Sequence, residues 1–254
     1  MDNRKNRMLV LDCSAGLSGD MAAGAAADLL KDDEAVLGAL SFLKAHGYEA
    51  GFEFIKKQDR QCRHFYVRPV SGKPAAHAHI HRTLSDVKAV IAEASLTTSA
   101  RSLAYHVYDI IAESEAIAHD LPAEKVHFHE VASLPSIADV IAFSVCYDRL
   151  GITGTVIPAL YEGRGTVQCD HGELEVPVPA VRNILTANHL PLMRAESSGE
   201  ILTPTGAAIA AAVRTAASLP EEYRILASGY GAGMRETGLR GYAAAQMIQP
   251  IERN

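Results

Sequence analysis

The stretch Met8–Leu30, MLVLD-CSAGLSGD-MAAGAAADLL, decides the fold. Met8–Asp12 is a short apolar run closed by an acid, the pattern of a buried strand. CSAGLSGD is small and Gly-rich, the composition of a tight turn. MAAGAAADLL is Ala-rich and reads as a helix. Strand, Gly-rich turn and helix in direct succession open an α/β fold. A mixed α+β arrangement, with helices packed on a mixed sheet, also fits.

Outward from this start the text continues to alternate. Asp33 to His46 reads as a second helix, with Val36, Leu37, Leu40 and Leu43 on one face and Gly47 as its stop. Phe52 and Phe54, then Phe65 and Val67, flank KKQDRQ as a hairpin would. A His-containing linker is expected at about 72–83. Ser85 and Asp86 open a helix with Val87, Val90, Ile91 and Ala94 on one side. Leu103, Val107, Ile110, Ile111 and Ile117 mark a longer helix ending near Asp120. KVHFHEV (Lys125–Val131) alternates like a strand. Ser136 is expected to cap a helix, with Asp139 three residues on. Residues 151–179 read as strands and turns, and Pro179–His189 as a helix. Thr203 with Pro204 opens an Ala-rich helix to Ala217, and Tyr242–Ile248 is a last strand. The expectation is one α/β domain over residues 1–254.

Bulk properties exclude several classes. The formal charge is -6 and no basic stripe is present, which argues against nucleic-acid binding. The four cysteines, Cys13, Cys62, Cys146 and Cys169, form no CxxC pair, so a zinc knuckle is not expected. The apolar run after MDNRKNR is too short for a signal peptide, and no window reaches the ~18 apolar residues of a membrane span. A cytoplasmic protein with reduced thiols and no membrane partner is expected, as a homo-oligomer.

Four groups of residues can carry chemistry. Asp12 and Asp20 bracket the Gly-rich turn. There the backbone N–H groups of Ser18 and Gly19 and the start of the helix suit an anion, and the acids suit a cation. The plainer reading is that Asp20 only complements a helix dipole. In HAHIH, His77, His79 and His81 fall on one side if extended, and imidazoles suit nickel, zinc or copper; the plainer reading is a solvated loop. In HFHE, His127 and His129 share a face, with Glu130 beside them. Two imidazoles and a carboxylate make a metal site with open positions; one core and one surface histidine is the alternative. Three turns complete the set: GRGTVQCDHG with Asp170 and His171 as further metal candidates, PTG with Thr203 and Thr205 at a helix start, and GYGAGMRE with Arg235 for a phosphate or carboxylate. Each turn is also explained by turn geometry alone. A thiol at Cys13 can touch a soft metal, or be buried and inert.

DCSAGLSGDM, the histidine tract before LSDV, VHFHEV, CDHG followed by PVPA, GEILTPTGAA and GYGAGMRE occur here in the order found in the LarC-type nickel-insertion proteins. The chain resembles their N-terminal part over residues 8 to about 236. The resemblance implies nickel insertion into pyridinium-3,5-bisthiocarboxylic acid mononucleotide, giving the nickel-pincer cofactor of lactate racemase-type enzymes. It implies nickel, and CTP with Mn or Mg, the latter on a C-terminal domain expected to be absent here: either a separate polypeptide supplies it, or the chain is a paralogue with altered or lost activity. Asp12, Asp20 and Glu130 are then the catalytic candidates. Ser18, Gly19, Thr203, Thr205 and Arg235 hold the mononucleotide, and His77, His79, His81, His127, His129 and His171 hold metal. The chain departs from the family where ASLPSI puts Pro135 in place of an acid. The alternative is a nickel-binding or delivery module without turnover. A nucleotide hydrolase built on the first turn ranks third.

Overall fold

The computed structural model describes residues 6–70, 82–128, 131–169 and 172–251. In chain order these form β1 (Met8–Asp12), α1 (Gly19–Leu30), α2 (Asp33–Ala39), β2 (Tyr48–Lys57), β3 (Arg60–Pro69), α3 (Leu84–Glu93) and α4 (Thr98–His119). There follow α5 (Leu134–Leu150), β4 (Gly154–Val156), β5 (Leu160–Arg164), β6 (Thr166–Cys169), β7 (Gly172–Glu175) and α6 (Pro179–Ala187). The last elements are β8 (Leu192–Ser198), α7 (Pro204–Val213), β9 (Tyr223–Gly231) and β10 (Ala243–Pro250). Among the described residues no helix is long and apolar enough to cross a membrane.

The main sheet has the order β2-β3-β9-β10-β1-β4. It is mixed: β1 runs parallel to β4 and antiparallel to β10, and β3 meets β9 in parallel. The α/β expectation with a mixed sheet is therefore what the chain adopts. Alanine explains how α1 lies on this sheet. Ala22, Ala23, Ala25 and Ala26 are buried, and the helix packs on β3, β9 and β10 on one side and on α5 on the other. Short side chains on both flanks let a helix approach strands and a neighbouring helix together. One apolar cluster runs from Leu9 through α1, α4, α5 and α7 to Ala245.

Several elements differ from the sequence reading, each for a local reason. The second helix stops at Ala39, and Ser41–Lys44 continues as a 3-10 turn, which still buries Leu43. Thr83, not Ser85, caps α3, through a reciprocal pair of hydrogen bonds with Asp86. Ser133, not Ser136, caps α5; its hydroxyl accepts from the Ser136 N–H, and Pro135 occupies the first turn, where its missing N–H costs nothing. Ile117, placed on the pattern of α4, is exposed. KVHFHEV is not a strand over its described part: Ala123–Lys125 is a 3-10 turn, and Phe128 bridges only Arg82. Helix α7 ends at Val213, short of Ala217.

Two small sheets stand apart from the main one. β5 pairs in parallel with β8, and β6 with β7 in a hairpin that pairs, among the described residues, with nothing else.

Candidate functional site

A cavity of about 490 Å3 opens between the starts of α1 and α7, the end of α4, the first turns of α5 and α6, and the β6–β7 hairpin. Ser18, Gly19, Asp20, Thr203, Thr205 and Arg235 all line it. These residues come from three separate segments.

Backbone pairing sets the two helix starts side by side. Leu17 N–H donates to Ile201 O at 2.9 Å, and Thr203 N–H returns to Leu17 O at 3.1 Å. Each start brings N–H groups that have no partner inside their own helix. At α7, Thr203 Oγ1 accepts from Gly206 N–H at 3.1 Å, and Pro204 has no N–H, which leaves Thr205 as a donor. At α1 the Ser18 hydroxyl does not cap the helix; it donates to Asp20 Oδ1, which also accepts from Met21 N–H at 2.9 Å. The N–H groups of Gly19 and Asp20 remain at the helix start. Two positive helix ends therefore meet at one place, an arrangement suited to a phosphate. Arg235 reaches the rim, its guanidinium 3.4 Å from Glu200 Oε2.

The lining beside these starts is acidic. Asp139 enters from α5. Burial, and then the charge of Asp20, push its pKa well above the ordinary carboxyl value. His64 Nδ1 lies 3.0 Å from Ala232 O and 4.0 Å from Asp20 Oδ2. On the α4 wall, one turn apart, Glu115 and His119 face the same space, with His119 Nε2 3.5 Å from Glu115 Oε2.

His127 also lines the cavity, and its position is set by its neighbours. Phe128 is buried beside Tyr108, and its backbone exchanges two hydrogen bonds with Arg82, at 2.8 and 3.4 Å. Arg82 in turn donates to Ala132 O at 2.7 Å, and Tyr108 to Val131 O at 2.9 Å. Phe128 thus anchors the segment while His127 points to the open side.

Of the expected site residues, the cavity gathers Ser18, Gly19, Asp20, His127, Thr203, Thr205 and Arg235. Asp12 is elsewhere. Its carboxylate accepts from Ser14 N–H at 2.9 Å and from Arg240 at 2.8 Å. Burial opposes its ionisation, but these bonds outweigh burial and hold its pKa below 3.8. Asp12 closes the turn and pairs with Arg240 instead of facing the cavity. His77, His79, His81, His129, Glu130, Asp170 and His171 lie outside the described residues. Among the described residues no three His, Cys, Asp or Glu side chains stand close enough to hold one ion.

The sequence reading missed Asp139, Glu115, His119 and Glu200 as lining residues. Asp139 had a signal: an acid between Ala138 and Val140 on a helix otherwise buried on that side. Glu115 and His119 had the helical i, i+4 spacing of one face.

The thiols separate in the same way. Cys13, Cys62 and Cys146 are buried, and Cys169 is partly open on the cavity wall. Burial raises the Cys13 and Cys146 thiols far above their ordinary value, and Cys62 to about 11. Iodoacetamide is expected to label Cys169 in the native protein and the other three only after unfolding. Mass spectrometry of the peptides reads this, and native labelling of Cys13 is the contrary result.

Residues 9–247 match the family described as "Nickel insertion protein". The pyridinium-3,5-bisthiocarboxylic acid mononucleotide nickel insertion protein of Alkaliphilus metalliredigens is 35% identical, over 96% of this chain and 61% of its own length. The protein of the same name from Akkermansia muciniphila is 36% identical, over 91% of this chain and 57% of its own. The putative nickel insertion protein of Geotalea daltonii is also 36% identical, over 91% and 57%. The chain thus spans about 60% of the length of the curated relatives it matches. No solved structure matches it. On the family match and these identities, the chain belongs to the nickel insertion protein family.

Proposed function

We propose that this chain carries the part of a nickel insertase that holds the organic substrate, pyridinium-3,5-bisthiocarboxylic acid mononucleotide, while nickel enters it. The observation that carries the reading is the convergence of two helix starts and Arg235 on one cavity that also holds acids and imidazoles. The helix starts, through the N–H groups of Gly19 and Thr205 with Ser18 and Thr203 beside them, and Arg235, through its guanidinium, are the phosphate-binding elements. The ring then extends toward Asp20, His127 and the α4 wall.

Nickel is the cargo. His127, which lines the cavity, is the proposed first ligand, and His129 and His171 are the proposed additional ligands, with His77, His79 and His81 recruiting the ion. Glu130 and Asp20 are the proposed catalytic carboxylates. An incomplete protein ligand set suits a metal that must be handed on, because the substrate's thiocarboxylates and ring carbon then fill the open positions. CTP with Mn or Mg is proposed to bind the portion of the relatives that lies beyond their match to this chain. The product is proposed to be the nickel-pincer cofactor of lactate racemase-type enzymes.

The test mixes the protein with the nickel-free precursor, nickel and CTP, with and without the remaining portion of a relative, and follows the nickel-containing product by mass spectrometry. Product is expected. Arg235→Ala should raise the precursor concentration for half-maximal formation by about tenfold, the scale of one charge-assisted phosphate contact. Nickel bound by the protein with no product in either mixture overturns insertion in favour of a delivery module.

A further inference from the structure

Glu115 and His119 stand one helical turn apart at the end of α4, so their side chains share one face. That face is turned to the cavity, and Ala118 beside them adds only a methyl group to the lining. His119 Nε2 lies 3.5 Å from Glu115 Oε2, beyond the roughly 2.7–3.2 Å of an N–H···O hydrogen bond. Two donor atoms held about 2.1 Å from one divalent ion, at angles between right and tetrahedral, stand about 3.0–3.4 Å apart. The pair therefore needs almost no movement to share one ion. His119 is also the last residue of α4, where the negative end of the helix dipole favours a cation.

We propose that Glu115 and His119 together bind nickel on the α4 wall of the cavity. This rests on the nickel reading above and deepens it, naming two further ligands and the place in the cavity where the ion is held. One imidazole and one carboxylate suit a nickel ion. Among the described residues no three His, Cys, Asp or Glu side chains stand close enough to hold one ion. The pair therefore holds nickel by two side chains and leaves its other positions to water. Such a site binds loosely, and a ligand with sulfur donors entering the cavity can take the water positions and draw the ion away. As a plain ion pair the two residues would contribute little, because a partly exposed pair one turn apart on a helix is worth only a few tenths of a kcal/mol.

The test reads His119 itself, so nickel held by other histidines does not enter the result. Diethyl pyrocarbonate acylates an imidazole nitrogen whose lone pair is free, and a metal on that nitrogen blocks it. Peptide mass spectrometry of the full chain is expected to show His119 acylated severalfold more slowly with nickel chloride than without. Magnesium chloride should not slow it, because imidazole suits nickel and not magnesium. Glu115→Gln keeps the shape and removes the charged ligand. Loss of an outer partner of a ligand already costs about tenfold in metal affinity, so this variant should raise the nickel concentration for half-protection of His119 by at least about tenfold. A thermal melt confirms that the variant is folded, and the contrast of nickel with magnesium in the wild type tests the site without any variant. Unprotected His119 in the wild type, equal protection by magnesium, or unchanged protection in the folded variant overturns the site in favour of an ion pair only. Nickel-containing product formed while His119 stays unprotected overturns this site and leaves the proposed function standing. Protection of His119 without product supports the site and overturns insertion alone.

Discussion

Replacing Gly206 by alanine is expected to destabilise the protein and weaken mononucleotide binding together, although alanine is the better helix former. Gly206 is in the first turn of α7, against the turn that leads into α1. An added methyl would lie 2.1 Å from Leu17 O, 2.6 Å from Leu17 C and 3.0 Å from Ser18 N. These are backbone atoms, so no side chain can swing aside. The methyl must push α7 away from Ser18 and stretch the Leu17–Ile201 and Thr203–Leu17 bonds that zip the two segments together. Within an ordinary helix the change gains about 1 kcal/mol. Overpacking against fixed backbone costs about 1–3 kcal/mol, so the net effect should be loss of stability. The larger consequence is at the site, because the donors at Gly19 and Thr205 no longer meet one phosphate. Urea denaturation and titration with the precursor check both halves, and a stabilised Gly206→Ala with unchanged affinity would disprove the close approach.

The second large effect is expected at Glu162, which sits behind the same segment. It is fully buried on β5, and its Oε1 accepts from the N–H groups of Gly163 and Ile201 at 2.8 Å and of Leu202 at 3.3 Å. Among the described residues its Oε2 has no hydrogen-bond partner. Glu162→Ala leaves three buried donors unmet, at ~1–3 kcal/mol each, so a loss of about 3–5 kcal/mol is expected. Glu162→Gln keeps an oxygen for the three donors and should cost far less. The sign of the pH dependence separates the two forms of the wild-type acid. Burial raises the Glu162 carboxyl above 4.5 despite the three N–H donors, which act in the opposite direction. A raised value means the folded state holds the proton more tightly than the unfolded chain. The group therefore contributes fully below about pH 4.5, and that contribution is lost as pH rises through the raised value. Glutamine carries no such loss. The stability of Glu162→Gln relative to wild type should improve from pH 4 to pH 8 in urea denaturation, and a constant difference would refute a raised Glu162.

Much of this architecture is legible in the chain because its opening is locally consistent. MLVLD, the Gly-rich turn and the Ala-rich run each specify one conformation, and β1 and α1 form there. The Thr203–Pro204 helix start is equally plain, since cap and proline agree. What misleads is alternation without a sheet. In KVHFHEV the buried Phe128 between polar neighbours mimics a strand, but its apolar contact is with Tyr108 of α4 and no long ladder forms. β9 is obscured for the opposite reason: Ile225 and Leu226 are both exposed, so no period of two shows, and its end coincides with glycines that read as a turn. At the site, Ser18, Gly19, Asp20, Thr203 and Thr205 were readable because helix starts have local signatures. Asp139 was not, because its meaning depends on Asp20 across a helix–helix contact. Asp12 shows the converse: the Arg240 that occupies it is 228 residues away.

The walls of the cavity differ in how much they can yield. The two helix starts are cross-tied through the Leu17–Ile201 and Thr203–Leu17 backbone bonds, and Asp20 and Asp139 belong to helices packed in the core. Another wall is the β6–β7 ribbon, which presents Val167 and Leu174, directly paired across its two strands. An isolated pair of strands is marginal by itself in water. Val167 and Leu174 pack against the core, so it is their contact and not strand pairing alone that holds this wall in place.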